Sequence, residues 1–431
     1  METMVRGSCF RPVPAPRGGG WGLVRLLVAA VALPAVAADE AALATLEGAL
    51  AYAAVHHPGL AAARAEREAA EARIVPAGTL PDPMLTFSAR SMEREVGVGI
   101  SQTFPLAGKR GFRAAAAREE ARAADRMLEA RQLEVAAEVV NAFSEFAFLA
   151  RARALTEANL GLLKQLEEVA LARYRTAQAP YADVLRAQVE LGRVEDELRS
   201  LTEVEGAAAA RLNAAMGRAV GAPLPPPAGL PEVVWELAAE EVEAAVGAAN
   251  PELAALAHQV AAAQQELEVV RRIRVPDLMV GVEVMRSGEM QRTGLGVMAG
   301  INLPIWRDCC RNEVREAAAR VEASAARRAE RELAVLSQLR LALVRFRDAA
   351  RRGQLYSERL IPQSEQAVAA VLAAYRAGEV TFADVVETAR MVLEFQLARA
   401  RAQVEQLQQL AELERLTGRR WRLEGKQEVT R

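Results

Sequence analysis

The sequence predicts a mainly α-helical protein with a small β part: a duplicated unit of long antiparallel coiled-coil helices, with four short strands per chain. Two observations predict this fold class. Ala, Leu, Arg, Glu and Val dominate the 431 residues and only 4% are aromatic, which is typical of long helices or coiled coils. In addition, landmark residue pairs recur in the same order about 200 positions apart, which indicates an internal duplication.

The composition also excludes several classes of function. The chain has 54 Lys and Arg against 56 Asp and Glu, so no basic surface points to nucleic acid. Three histidines and three cysteines leave few residues for an active site or a structural zinc. The sequence contains no Gly-rich phosphate loop and no nucleophile–base constellation. We therefore expect no enzyme, no cofactor and no metal site.

Residues 1–37 are interpreted as a signal peptide. Four arginines precede an uncharged run at residues 26–36: Arg6, Arg11, Arg17 and Arg25. Ala35-Val36-Ala37 then supplies the small-residue pattern of a signal-peptidase site. The alternative is a membrane anchor, but a run of about 11 residues is too short to cross the ~30 Å hydrocarbon core. No other window reaches about 18 apolar residues, so a mature chain that enters a membrane must do so as strands.

The mature chain is interpreted as one unit written twice, at residues 38–221 and 232–421. A Pro-rich linker at residues 222–231 separates the copies, and residues 422–431 form a polar tail. Six matched pairs carry this interpretation: His57-Pro58 with Asn250-Pro251, Pro81-Asp82 with Pro276-Asp277, Phe104-Pro105-Leu106 with Leu303-Pro304-Ile305, Tyr174-Arg175 with Tyr375-Arg376, Tyr181-Ala182-Asp183-Val184 with Phe382-Ala383-Asp384-Val385, and Met216-Gly217 with Thr417-Gly418.

Each copy begins with a helix that has a polar cap followed by Pro, predicted at residues 57–77 and 250–274. A very long helix is expected at residues 109–174 and 315–375. After a tight turn, a return helix is expected at residues 181–216 and 382–417. Apolar residues along the first return helix have the 3-4 spacing of a coiled-coil seam: Val184, Ala187, Leu191, Val194, Leu198 and Leu201. We expect an elongated body in which one long helix pairs with two shorter ones.

Four strands are predicted between the opening and long helices, at residues 84–92, 96–104, 278–286 and 295–303. They alternate with period two. One face is apolar: Leu85, Phe87, Val98, Ile100, Val280, Val282, Val284, Leu295, Val297 and Ile301. The other face is small or polar: Met84, Thr86, Ser88, Gly97, Gly99, Ser101, Thr103, Met279, Gly281, Glu283, Gly296, Met298, Gly300 and Asn302.

The apolar strand face has two interpretations. The strands either rest on a soluble core as two hairpins, or they face lipid, for which a length of about nine residues is suitable. Four strands cannot close a barrel, whereas a trimer supplies twelve strands and leaves no exposed edge. Aromatic residues at the predicted interfaces are sparse: Phe87, Phe104 and Trp306.

The order of these motifs resembles the TolC-like outer membrane factors of Gram-negative efflux systems. The resemblance runs through Leu46-Glu47-Gly48-Ala49-Leu50, Leu80-Pro81-Asp82-Pro83, residues 98–110 ending in Gly108-Lys109-Arg110, and the two Tyr-Arg turns, and it covers residues 45–421. It implies a homotrimer whose twelve-stranded outer-membrane barrel continues into an α-helical periplasmic barrel. It also implies a periplasmic adaptor and an inner-membrane pump as partners. Gly108-Lys109-Arg110 is most similar to the heavy-metal branch.

By this resemblance the two helical tips are the periplasmic mouth and the contact with the adaptor. Their candidate residues are Tyr174, Arg175, Tyr181, Asp183, Tyr375, Arg376, Glu379 and Asp384. Charged pairs among them would oppose opening. The alternative for Asp183 and Asp384 is capping, because a carboxylate in the first turn complements the helix dipole.

The polar strand face is predicted to line the pore through Met84, Thr86, Ser88, Ser101, Met279, Glu283, Met298 and Asn302. Thioether sulfur is a ligand for Cu(I), but apolar filling is the preferred interpretation of these methionines. Cys309 and Cys310 follow the fourth strand, and the sequence leaves open whether they are free, paired or metal-bound.

Three functions remain in competition. The first is a passive exit channel that conducts small substrates delivered by a pump. The second is a type I protein-secretion duct with the same fold. The third is a soluble periplasmic coiled-coil adaptor or scaffold, against which the four strands and the duplication argue.

Overall fold

The computed structural model describes residues 42–90, 95–231, 242–243, 246, 249–287 and 292–419. The predicted signal peptide and polar tail lie outside these residues, as does the end of the first predicted strand at positions 91–92. The segment at 222–231, predicted as a linker, has no regular secondary structure. It packs back on the helices, where the Ala228 amide donates to the Ala44 carbonyl over 2.8 Å.

The same element order occurs in both halves of the chain. The first half contains α1 (Leu46–His56), α2 (Pro58–Ala72), α3 (Ile74–Gly78), β1 (Met84–Arg90), β2 (Glu95–Phe104), the long helix α4 (Lys109–Arg175) and the return helix α5 (Tyr181–Met216). The second half contains α6 (Pro251–Arg271), a 3-10 turn (Arg272–Arg274), β3 (Leu278–Ser287), β4 (Thr293–Ile301), α7 (Arg307–Leu355), α8 (Ile361–Ala377) and the return helix α9 (Phe382–Thr417). At 1.5 Å per residue, the 67 residues of α4 extend about 100 Å.

Local capping fixes where the opening and return helices begin and end. The side chains of His57 and Asn250 accept hydrogen bonds from the first-turn amides of Gly59 (3.1 Å) and Leu253 (2.8 Å). Both return helices end at a glycine with positive φ, 78° at Gly217 and 75° at Gly418, a conformation that favours glycine.

The opening helix of the second half ends at Arg271, three residues before its predicted end. Two other predicted helices are interrupted, each near a proline. The opening helix predicted at 57–77 is broken between Ala72 and Ile74, because Pro76 has no amide to donate to the Ala72 carbonyl. The long helix predicted at 315–375 already begins at Arg307 and is interrupted by a π turn at Tyr356–Leu360, just before Pro362. A proline again removes a helical hydrogen bond there.

The helices form an elongated body with its core spread along the length of α4. That helix packs against α2, α3 and α5 of its own half and against α6 and α9 of the other half. Corresponding ion pairs join each long helix to its return helix: Arg153 with Glu205 at 2.7 Å, and Arg352 with Glu405. On α5, Val184, Ala187, Leu191 and Val194 of the predicted seam are buried, while Leu198 and Leu201 are half-buried.

The four strands form one antiparallel sheet in the order β1-β2-β3-β4. Met84 pairs with Ser101, Val98 with Val284, and Val282 with Val297. The central β2–β3 pairing therefore joins the two halves of the chain. β4 begins two residues earlier than predicted and ends at Ile301, before Asn302 and Leu303.

An ion pair between a buried lysine and a half-buried aspartate fixes the sheet on the helical body. Lys109, the first residue of α4, donates to the Asp277 carboxylate over 2.8 Å and to the Val275 carbonyl over 2.7 Å. The Leu106 amide donates to the same carboxylate over 3.2 Å. Because Lys109 belongs to the first half and Asp277 to the second, this contact sets the strands of both halves at one position relative to the helices.

The glycine that ends α5 provides a test of this local geometry. We expect Gly217→Ala to lower the free energy of unfolding by at least 1–2 kcal/mol, the approximate penalty of a side chain in the left-handed region. A Cβ at this position would also lie 2.8 Å from Cδ of Pro58. Thermal unfolding followed by circular dichroism in detergent measures the change.

Gly161→Ala, in the interior of α4, is the control. No heavy atom lies within 4 Å of a Cβ at that position, so alanine should stabilise the helix by about 0.5–1 kcal/mol. Equal effects of the two substitutions would contradict the capping role of Gly217.

Candidate functional site

One face of the sheet is apolar across all four strands and uncovered in the single chain. Pairing brings Leu85 opposite Ile100, Phe87 opposite Val98, and Val284 opposite Leu295. The side chains of this face are exposed, to 75% at Phe87 and Leu295 and to 77% at Val297. An exposed apolar patch of this kind marks a surface that another molecule or a membrane covers.

The opposite face is small and polar and is less exposed, as expected for the inner side of a curved sheet. On β2, Gly97, Gly99 and Ser101 are buried, whereas Val98 and Ile100 between them are exposed. Space on this face is limited, since a Cβ on Gly97 would lie 2.6 Å from the Glu283 carboxylate and from the Ser88 hydroxyl. The glycines therefore leave room for Glu283.

Most of the predicted pore-lining residues lie on this small, polar face. Met84, Ser101 and Met298 lie in one row across the sheet, Thr86 and Glu283 lie in the next, and Ser88 follows. The Ser88 hydroxyl donates to the Glu283 carboxylate over 2.5 Å. Among the described residues no ion pair involves Glu283, so no cation in that part of the chain balances its charge.

Asn302 is the exception, and its prediction as a strand residue is wrong. It follows the end of β4, and its side-chain oxygen accepts a hydrogen bond from the Asp277 amide. That contact holds Asn302 at the junction between the sheet and the helices. Met279 belongs to the last inner row, opposite Thr103 and Gly300.

Both outer strands of the sheet have one edge without a partner among the residues that the structure describes. β1 pairs only with β2, and β4 pairs only with β3. Such edges present backbone N–H and C=O groups to another strand. The sheet therefore has one apolar face and two open edges, all available for contact.

At the far end of the body, the tip of the second half inserts into the first. Tyr375 is 2% exposed and Phe382 is fully buried, with ring centroids 5.7 Å apart. Their contacts include Ala170 of α4 and Val184 of α5. Arg173 stacks on the Tyr375 ring, with its guanidinium carbon 4.6 Å from the centroid, and donates to the Tyr375 carbonyl.

Asp183 lies beside this contact and in the first turn of α5, the position that the capping alternative requires, where its carboxylate complements the helix dipole. It is 6% exposed, and the guanidinium of Arg186 lies 3.7 Å from its carboxylate. Burial, followed by the nearby Asp183 carboxylate, raises the pKa of Tyr375. The Tyr375 hydroxyl has no hydrogen-bond partner among the described residues. The buried phenol and carboxylate are therefore held together by the packing of the two tips.

The equivalent aromatic pair of the first half has a different environment. Tyr174 and Tyr181 have ring centroids 5.2 Å apart, but both are exposed. Arg175, Arg376 and Glu379 are exposed as well. Of the eight predicted tip residues, the structure brings together Tyr375 and Asp183 across the two halves, and it leaves the others at the surface of the tips.

Asp384 has the capping role that the sequence offered as its alternative. Its carboxylate accepts hydrogen bonds from the amide (2.8 Å) and hydroxyl (2.7 Å) of Thr381, and the Thr381 hydroxyl accepts one from the Asp384 amide. The hydrogen bonds from Thr381 lower the pKa of Asp384. Equivalent sequence positions, Asp183 and Asp384, thus have different structural roles.

Sequence reasoning missed two groups that connect the halves near the tip. Arg173 is one. The other is Glu190, a buried carboxylate on α5 that accepts hydrogen bonds from Arg390 of α9 (2.8 Å) and Arg193 (3.0 Å). The hydrogen bond from Arg390 is the main reason that the pKa of Glu190 is lowered. The signal in the sequence was an acid directly beside the seam residue Leu191.

Cys309 and Cys310 lie in the first turn of α7, directly after the sheet. Both are free thiols, Cys309 exposed and Cys310 buried. A hydrogen bond to the Glu313 carboxylate raises the pKa of Cys309. In the described part of the chain, no three or more His, Cys, Asp or Glu residues are grouped so as to hold a metal ion.

None of the helices in the described ranges combines the length and the apolar character that a membrane crossing requires.

Comparisons with known proteins agree with this architecture. The model of the outer membrane efflux protein family matches residues 49–218 and 245–419. The cobalt-zinc-cadmium resistance protein CzcC of Cupriavidus metallidurans is 22% identical over 401 residues, covering 90% of this chain and 93% of the relative.

Solved structures with a similar fold include proteins described as outer-membrane channels. The outer-membrane channel OprN has a TM-score of 0.77 at 18% identity and covers 87% of this chain and 90% of its own. The outer membrane protein VceC of Vibrio cholerae has 0.74 at 19%, covering 86% and 96%. CusC has 0.73 at 12%, covering 86% and 91%. With the family model matching most of its length in both halves, the chain belongs to the outer membrane efflux protein family.

Proposed function

We propose that this chain is the outer-membrane exit channel of a tripartite efflux system in a Gram-negative bacterium. Three copies form a twelve-stranded barrel that continues into a helical barrel in the periplasm. The observation that carries the proposal is the sheet, which has a continuous exposed apolar face, a small polar face and two open edges. A lipid bilayer covers the apolar face, water fills the space along the polar face, and strands of neighbouring copies pair with the open edges.

The dimensions of the sheet support a position in the membrane. Strands of nine or ten residues, as in β2, β3 and β4, match a tilted crossing of the hydrocarbon core. An open four-stranded sheet in lipid would leave the backbone groups of two edges unsatisfied, at several kcal/mol each. Closure of the sheet by further copies removes both edges.

The polar face gives the pore its chemistry. Glu283 places a carboxylate on it without a cationic neighbour among the described residues, so the lining favours cations over anions. No reacting groups are needed, because the channel conducts passively and the pump supplies the energy. A periplasmic adaptor docks at the helical tips and couples the channel to the inner-membrane pump.

Heavy-metal cations are the proposed substrates, on the basis of the similarity to a cobalt-zinc-cadmium resistance protein. A type I protein-secretion duct is the second candidate within the same fold. A soluble periplasmic adaptor or scaffold is the third, and the uncovered apolar sheet face disfavours it.

Two adjacent residues of β4 on opposite faces test the membrane location. We expect Val297→Arg to abolish the heat-resistant assembly in the outer membrane, because a charge on the lipid face costs about 2–4 kcal/mol at mid-membrane. Met298→Arg, on the polar face, should assemble normally. Membrane fractionation and gel mobility without boiling measure both variants. If Val297→Arg were as well assembled as Met298→Arg, the face would not contact lipid.

The tip contact is proposed to keep the periplasmic mouth narrow. We expect Arg173→Ala and Asp183→Asn to raise single-channel conductance in planar bilayers, because each weakens the contact between the two tips. Asp384→Asn is the control, since it disturbs a helix cap worth about 1 kcal/mol and leaves the contact intact. Unchanged conductance in both Arg173→Ala and Asp183→Asn would exclude these residues from the mouth closure.

Substrate class is tested in cells. A strain that lacks this chain should become more sensitive to cobalt, zinc, cadmium or copper, and expression of the chain from a plasmid should restore resistance. A strain that expresses the assembly-defective Val297→Arg variant is the control and should remain sensitive. Unaltered metal sensitivity would exclude metal export while leaving the channel itself in place.

A further inference from the structure

The correspondence between the two halves of the chain extends to the register of their strands. The Pro-Asp motifs before β1 and β3 are 195 positions apart, and the Pro motifs after β2 and β4 are 199 positions apart. Moved by these offsets, the observed pair Met84–Ser101 becomes Met279–Gly300, which is also an observed pair. The two offsets therefore reproduce the pairing of the second hairpin from that of the first.

The β2–β3 junction can then serve as the template for the junction that the chain leaves open. β4 corresponds to β2, and β1 corresponds to β3. We therefore expect β4 of one copy to pair with β1 of the next copy as β2 pairs with β3 within the chain. The observed pair Gly99–Glu283 becomes Met298 opposite Ser88 of the next copy. The observed pair Ile100–Val282 becomes Ala299 opposite Phe87.

The register obtained in this way keeps the two faces of the sheet continuous. Met298 and Ser88 both belong to the small, polar face, and Ala299 and Phe87 both belong to the apolar face. A shift by one residue would bring apolar and polar side chains to the same face. The open edges are thus compatible with each other in this register.

The helices independently indicate which surfaces of neighbouring copies meet. Inside the chain α9 packs on α4, and α4 has a buried face there: Ala137, Val140, Ser144 and Ala147. The residues 200 positions later on α7 are all exposed: Ser337, Arg340, Val344 and Arg347. This offset is supported by burial, since Val135, Phe143 and Phe146 of α4 and their counterparts Val335, Leu343 and Phe346 of α7 are buried alike.

The return helices complete the relation. α9 is buried along Ala400, Val404, Leu407 and Ala411. Its counterpart α5, 201 positions earlier, is exposed at three of the four equivalent positions and half-buried at the last: Arg199, Glu203, Gly206 and Ala210. α7 and α5 therefore each expose the face that their counterparts bury against one another.

The charges at this contact are reversed between the two halves. Arg401 of α9 forms an ion pair with Glu145 of α4 at 2.6 Å. The counterpart of Glu145 is Arg345, an exposed base on α7, and the counterpart of Arg401 is Ser200 on α5. Asp196 and Glu203, both exposed, lie one turn to either side of Ser200. A base on the long helix thus faces acids on the return helix.

We propose that β4 and α7 of one copy pack against β1 and α5 of the next. β4 and β1 pair with Met298 opposite Ser88, and Arg345 lies between Asp196 and Glu203 of the neighbouring α5. The register presupposes the proposed trimeric channel and adds to it the residues at each subunit boundary. Every copy uses two different surfaces, so the contact is heterologous and closes into a ring.

Disulfide trapping tests the register in the full chain, with Cys309→Ser and Cys310→Ala as background. The pairs are Ser88→Cys with Met298→Cys, and Phe87→Cys with Ala299→Cys. Two adjacent pairs are used because opposite residues alternate between closer and wider spacing in an antiparallel ladder. Within one chain the two positions of each pair are three strand spacings apart across the sheet, about 14 Å, and four residues apart along the strands, about 13 Å. Only a neighbouring copy is therefore within reach of a disulfide.

After mild oxidation, at least one of the two pairs should give covalent dimers and trimers on a denaturing gel, and reductant should remove them. The slipped controls are Thr86→Cys with Met298→Cys, and Leu85→Cys with Ala299→Cys. Each moves one cysteine by two residues on the same face, to a diagonal separation of about 7–8 Å. We expect at least tenfold less product from the slipped pairs.

A charge variant provides a second measurement that does not depend on the strands. Arg345→Glu should increase dissociation of the detergent-solubilised trimer about tenfold, and adding Asp196→Arg with Glu203→Arg should restore it. Arg327→Glu is the control on the same helix. Its counterpart Met127 is exposed, which places Arg327 outside the contact.

The outcomes separate this proposal from the channel itself. A trimer by light scattering that cross-links better through the slipped pairs, or that is indifferent to Arg345→Glu, would overturn the register and the ion pair and leave the channel standing. A protein that is monomeric in detergent and forms no cross-link with any pair would contradict both the register and the trimeric channel.

Discussion

The constraint on which the rest of the structure depends is the incomplete sheet. In the described part of the chain, four strands leave two rows of backbone N–H and C=O groups unpaired, and no element there covers the apolar face of the sheet. Hydrogen-bonding groups without partners cost most where water is absent. The strands therefore acquire a stable environment only when further strands close the edges and an apolar medium covers the outer face. The partly buried Lys109–Asp277 contact fixes the orientation of the strands relative to the helical body.

The long helices also depend on other elements for their burial. A helix about 100 Å long has no globular core to rest on, so its burial comes from other helices along its length. Within one chain, α4 acquires such partners on several sides, whereas its counterpart α7 retains an exposed face. The aromatic pairs at the tips show the same imbalance, with Tyr375 and Phe382 buried while Tyr174 and Tyr181 are exposed.

Much of the fold could be read from local patterns. Period-two alternation predicted the two faces of all four strands, and the repeated landmark pairs predicted both return helices, Tyr181–Met216 and Phe382–Thr417. Pro76 and Pro362 are local signals in the sequence for the breaks in the opening helix and the long helix. The contacts of Arg173 with Tyr375 and of Glu190 with Arg390 join residues about 200 positions apart, and no local pattern encodes such a distance.

The sequence by itself determined which segments are helices or strands and which side of each strand is apolar, because those properties depend on backbone hydrogen bonds and side-chain spacing within a few residues. Only the tertiary structure decided which contacts are made by residues at equivalent positions of the two halves. Asp183 lies against a buried tyrosine, whereas Asp384 caps its own helix, and Asn302 leaves the sheet to bind the Asp277 amide. Burial and partnership depend on which surfaces meet in three dimensions, and two copies of one sequence pattern can meet different surfaces.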